Sequence, residues 1–199
     1  MSQPLRANQA AFEIGQMAER IHGGYFMHVA AIQIARDPRA VALSPNVEAG
    51  QIVPVGYVFR NDGTRQIFHF THYLAQAVDP DMVDDLARIW LAGALLRIGD
   101  ALARHQYFDH APELELLRHL RNGVAHANLF DIRHPNSLRP AHNRDAWIRS
   151  DTNAVFEITP NLQGQPVLFD FMGPGDVLDL ISSVGLYLIR MGNGDPLRP

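Results

Sequence analysis

The segment from Asp79 to Tyr107 constrains the fold more than any other part of the chain. Asp79 suits a helix cap and Pro80 the first helical position, while Asp81, Asp84 and Asp85 favour the positive end of a helix dipole. At about 1.5 Å per residue the resulting helix is roughly 35 Å long. Met82, Leu86, Ile89, Gly93 and Leu96 fall on one stripe of it, and Leu91, Leu95, Ile98 and Leu102 on another. Two apolar stripes imply burial on two sides, so this helix is expected at the centre of a bundle.

Other helical patterns flank it. Residues 7–35 carry an apolar side from Ile14, Met17, Ile21 and the run 27–34, with a kink expected at Gly23–Gly24. Pro112, Glu113 and Glu115 open a helix whose core face is Leu114, Leu117, Leu120 and Val124. Gly173-Pro174-Gly175-Asp176 opens a last one with Val177, Leu180, Ile181, Val184, Leu188 and Met191 inward, ended by Gly192. Between them lie two less regular regions. Residues 36–63 read as an irregular loop, with a short strand over 52–59, a turn at Asn61-Asp62-Gly63 and Thr64 capping a helix that carries Ile67, Phe70, Leu74 and Ala77. Residues 133–172 read as an insertion, in which a polar loop precedes a β-hairpin of 154–159 and 167–171. The expectation is a mainly α fold, one domain over 1–199, with a hairpin inserted before the last helix.

Composition removes several function classes. With no cysteine among 199 residues, disulfides, thiolate zinc sites and cysteine nucleophiles are excluded. A 47% apolar content supports a core, and 19% charged residues is too few for a disordered chain. The start of the chain lacks a signal-peptide layout, and the run 89–98, broken by Arg97, falls short of the roughly 20 apolar residues a membrane span needs. No membrane segment is expected, and cytoplasm is the expected location. A net charge of −4 argues against a protein coated in positive charge. The distribution is uneven, however. Residues 76–115 hold eight acids and three arginines, whereas 116–150 hold six arginines, four histidines and only Asp131 and Asp145. That cationic third of the chain suits phosphate over a short range, although a basic surface without a partner has the same signature.

Within that third lies Leu116-Leu117-Arg118-His119-Leu120-Arg121-Asn122-Gly123-Val124-Ala125-His126-Ala127-Asn128. Asn122 and His126, four apart, share a helix face. Arg121 lies about 140° from His126 around an ideal helix, so one compact site needs a bend, easiest at Gly123, or a second copy of the chain. The residue types suit RNA cleavage. RNA supplies its own nucleophile, the 2′-OH, and needs a proton-transfer group and a cation. Histidine titrates near neutrality, and arginine offers a fixed, planar positive fork. Asparagine can orient either partner. Neither metal nor cofactor is required by that chemistry. A plain alternative is an Arg paired with an acid, an Asn at a kink and an ordinary polar His.

Arg121-Asn122-Gly123-Val124-Ala125-His126 resembles the R-x(4–6)-H motif of the HEPN superfamily, the higher eukaryotes and prokaryotes nucleotide-binding domains. The polar residue after the arginine and the leucine-rich lead-in over 113–120 are similar too, and the late insertion looks like the plasmid-borne p136-like branch. The resemblance implies an α-helical bundle, usually dimeric, with the motif near the dimer cleft. It implies a metal-independent endoribonuclease, often a toxin or defence protein, working beside an antitoxin or nucleotidyltransferase. Non-catalytic members instead bind RNA, nucleotide or a partner protein. Carried over, Arg121 binds phosphate, His126 is the general acid/base and Asn122 assists. Apart from the resemblance, Arg118 and His119 read either as an extension of a cationic groove or as a solvated helix face, and Asn128 as an RNA-contacting support for His126. The loop 39–63 and the hairpin lie outside that family's minimal core.

Weaker signals are set aside. His69 and His72 sit three apart on an expected helix face, without a carboxylate within a turn to complete a metal site. His22 and His28 have no ligand spacing. Gly173–Asp176 lacks the Lys-Ser/Thr of a phosphate loop and reads as a turn with a cap.

Overall fold

The computed structural model describes residues 7–45, 47, 50, 52–147 and 154–197. Among these the elements are α1 (Gln9–Ala35), β1 (Val55–Phe59), β2 (Arg65–His69), α2 (Phe70–Gln76), α3 (Pro80–Arg104), α4 (Pro112–Ala125) and α5 (Pro174–Asn193). The fold is mainly helical with one antiparallel β-hairpin. The chain divides into two compact units, Met1–Gly24 with Ala87–Pro199, and Tyr25–Leu86.

In the first unit the core is helical. Ala11, Ile14 and Ala18 of α1, Leu91, Leu95, Ile98 and Leu102 of α3, Leu114, Leu117 and Leu120 of α4, and Val177, Ile181, Val184 and Leu188 of α5 are buried. α1 meets α5 through small residues: a Cβ on Gly15 would lie 2.7 Å from the Gly185 carbonyl oxygen, so backbone touches backbone there. Asn8 caps α1 by accepting the Ala11 N–H at 3.1 Å, and Tyr107 donates to the same oxygen at 3.0 Å. α5 starts at Pro174, where the Asp176 carboxylate accepts the Gly173 N–H at 3.0 Å. It ends at Gly194, whose φ of 79° closes the helix in the left-handed conformation. Gly192, expected as the stop, is instead buried against Phe12.

Several expectations change. α3 buries only its second stripe: Met82, Leu86, Ile89 and Gly93 are exposed, so burial on two sides does not hold for this chain. α1 runs unbroken as a helix through Gly23–Gly24, with the Trp90 ring 3.1 Å from where a Cβ on Gly24 would stand. The hairpin forms over residues 55–69, not over 154–171. Thr64 opens a strand rather than a helix: Asp62 accepts both its N–H and its hydroxyl (2.8 and 2.7 Å), and Gly63 takes φ 81°. Tyr57 then faces Ile67 and Gly56 faces Phe68, whose ring covers the glycine. The helix expected from Thr64 begins only at Phe70.

The two runs expected to pair late in the chain each pair with an earlier segment. Ala141 and Asn143 bond Ile158 and Phe156, while Asn128 and Phe130 bond Val167 and Gln165. Pro160 and Pro166 offer no N–H to a continuous ladder, and Phe169 takes a left-handed φ of 76°, which breaks the second run. Residues 148–153, which include the end of the expected polar loop, lie outside the described residues.

Candidate functional site

α4 carries the site. Its first turns are buried, including the charged Glu113 and Glu115. Its last turn is open: Ala125 and His126 are exposed. His126 leaves the helix with φ −114° and ψ 58°, its N–H donating to the carbonyls of Asn122 and Gly123 at 3.1 and 3.0 Å. Ala127 and Asn128 then take left-handed φ values of 59° and 63°, which turns the chain back across the helix end. Gly123 makes room for this return, since a Cβ there would meet Val167 Cγ2 at 2.3 Å and the Leu129 carbonyl oxygen at 3.1 Å. Asn128 fastens it: its side-chain oxygen accepts the Leu168 N–H at 2.9 Å, and its amide donates to the Leu168 carbonyl at 3.2 Å. Asparagine is among the few residues that tolerate this backbone region.

Beside this helix end lies a cavity of about 730 Å³, within the range of small-ligand sites. Asn122 and His126 line it, as do Arg118 and His119. Asp109, Asp131, Arg133, His134, Ser137 and Arg139 complete much of its lining. Arginines and acids come in pairs. Arg118 donates to both oxygens of Glu115 at 2.8 and 2.5 Å, Arg133 donates to Asp131 at 2.7 Å, and Arg139 lies 3.5 Å from Asp109. Burial pushes the Glu115 carboxyl upward, but His119 and Arg118 overcome it and hold the group down at about 2. His119 Nε2 sits 3.7 Å from Glu115 Oε1 and is itself buried.

Arg121 points elsewhere. Its stem lies over Gly99 of α3, where a Cβ would be only 2.6 Å from Arg121 Cγ. Its guanidinium donates twice to Asp100 Oδ1, at 3.0 and 2.6 Å. A third donor reaches the Asn122 side-chain oxygen at 3.1 Å. The helical spacing therefore shows directly: Asn122 and His126 share the cavity, and Arg121 is joined to it through Asn122 without lining it.

Of the RNA-contacting residues expected from sequence, Arg118 and His119 line the cavity, whereas Asn128 does not and spends its side chain on Leu168. Asp100, Glu115, Arg133, His134 and Arg139 were not singled out from sequence. For Arg133, His134 and Arg139 the only signal was the local excess of arginine and histidine over 116–150; Glu115 was read only as part of a helix start, and for Asp100 there was no signal. His69 closes β2 and His72 belongs to α2, so they do not share a helix face, and His72 contacts Gln76 at 3.0 Å. Among the described residues no cluster of three or more His, Cys, Asp or Glu is arranged to hold a metal ion. Among them, too, no helix is long and apolar enough to cross a membrane.

No family model, curated protein or solved structure matches the chain.

Proposed function

We propose that this protein is a metal-independent endoribonuclease of HEPN type, acting in the cytoplasm as a toxin or defence factor. One observation carries the reading: the exposed His126 and the half-buried Asn122 line one cavity together with Arg118, Arg133 and Arg139, and Arg121 lies one hydrogen bond behind Asn122. In the proposed reaction the RNA 2′-oxygen attacks the adjacent phosphorus and the bond to the 5′-oxygen breaks. The proton given up by the 2′-OH is matched by one delivered to the leaving 5′-oxygen, and His126 handles that transfer. The products are a 2′,3′-cyclic phosphate and a 5′-hydroxyl. The Arg121 guanidinium is the group that stabilises the pentacoordinate phosphorus in this reaction. A second copy of the chain would bring another Arg121 toward the cavity, which is the role proposed for a homodimer.

Purified protein is expected to cut RNA in EDTA, leaving cyclic phosphate ends. His126→Ala and Arg121→Ala are each expected to lower the rate by about 10²–10⁴-fold with circular dichroism unchanged. Cutting that survives both substitutions removes the reading. A second reading, a module that binds RNA, nucleotide or a protein without cutting, is favoured by the Arg121–Asp100 pair, which occupies the guanidinium. It is marked by binding without turnover.

A further inference from the structure

The cavity beside α4 has an unusual charge plan. Its three arginines, Arg118, Arg133 and Arg139, are each engaged by an acid that also lines it, respectively Glu115, Asp131 and Asp109. With those pairs intact the charged lining balances to zero. What remains is His119, His126 and His134. They come from separate places around the cavity: His119 from the buried side of α4, His126 from its end, and His134 from the exposed loop beyond Ile132. The charged groups that line the cavity with them are the same three pairs. His119 faces Glu115 and Arg118 (3.7 and 3.2 Å), and His134 follows the Arg133–Asp131 pair in the chain. Imidazoles ordinarily change charge between about pH 5 and 8, whereas paired carboxylates and guanidiniums do not. Glu115 is the extreme case, remaining an anion down to about 2.

We infer that this cavity is a proton-linked phosphodiester site: it takes single-stranded RNA phosphates together with protons on its histidines, which supply the charge that the paired arginines do not. The inference rests on the reading of the cavity as the RNA site. It adds that occupancy is graded by pH through His126 and His134. The volume of about 730 Å³ is that of a small-ligand site.

The test is calorimetric titration of the full chain with a 2′-O-methyl uridine tetranucleotide lacking terminal phosphates. It has no free 2′-OH to attack, and its phosphodiesters keep their charge across the range. Affinity is expected to rise at least about tenfold between pH 8 and pH 6, with protons taken up on binding in two buffers of different ionisation heat. His126→Gln and His134→Gln should each flatten the slope, and the double variant should abolish it. Uridine, which has no phosphate, should not bind with proton uptake. A pH-independent affinity, no binding at any pH, or an unchanged slope in the double variant overturns the inference. RNA cutting alongside flat binding would overturn this inference and leave the nuclease reading standing. Proton-linked binding without cutting would do the reverse.

Discussion

Arg118 and Arg121 stand three residues apart on α4, and each is bound to a carboxylate, yet the two pairs differ in kind. Arg118 holds Glu115, a group 3% exposed on the same helix. Arg121 reaches across to Asp100, 55% exposed on α3. The first pair is part of the packing: separating it strands a buried charge. The second reaches the surface, with Arg121 half-buried and Asp100 exposed, where such pairs contribute little and a phosphate can compete. The comparison extends to the helix as a whole. Its first turns are fixed by burial, while its last turn is open and held in shape by a backbone reversal over Gly123 and Asn128.

The largest effect is expected where the open turn depends on packing. Gly123→Val would drive a side chain into Val167 and the Leu129 carbonyl, and should lower stability by about 3 kcal/mol in urea denaturation. A smaller loss would mean that the return over the helix end can shift. Asn128→Ala removes both hydrogen bonds to Leu168 and leaves alanine in a left-handed conformation. The expected loss is about 2 kcal/mol, with weakened activity through a misplaced His126.

Glu115→Gln probes the fixed end, with an expected loss of about 2 kcal/mol at pH 7 because Arg118 is partly exposed and keeps some hydration. The sign with pH follows from the depressed carboxyl. Its folded value of about 2 lies below the ordinary 4.5, so its stabilisation is complete above 4.5 and disappears as pH falls toward 2. Acid unfolding between those limits should be shallower in Glu115→Gln. The smallest effect belongs to Asp100→Asn, under about 1 kcal/mol in thermal unfolding. It should instead tighten RNA binding severalfold by freeing Arg121. A stability loss comparable to that of Glu115→Gln would erase the distinction between the two pairs.

The sequence showed clearly those parts of the fold that are set by local chemistry. Pro80, Pro112 and Pro174 open their helices as expected, and Leu117, Leu120, Ile181 and Val184 are buried where helical spacing put them. What failed depended on partners distant in the chain. Alternation over 154–159 and 167–171 reports extended backbone but not which segment pairs with it, and both runs paired with residues following α4. Ile67, Phe70, Leu74 and Ala77 fit a helical spacing, yet Ile67 lies in a strand because the 60–64 turn returns the chain onto Val55–Phe59. At the site, the shared face of Asn122 and His126 was legible from their spacing. The acids were not, since Asp100 lies 21 residues from Arg121 and only the tertiary fold brings them together.

The most direct test of the account is to record the imidazole and guanidinium NMR signals while adding the 2′-O-methyl tetranucleotide. Signals of His126, His134 and Arg118 should shift together and saturate at one stoichiometric equivalent, while those of His69 and His72 stay in place. If the α4 and loop signals are unmoved, or move no more than those of His69 and His72, the cavity at the end of α4 is not where RNA is engaged.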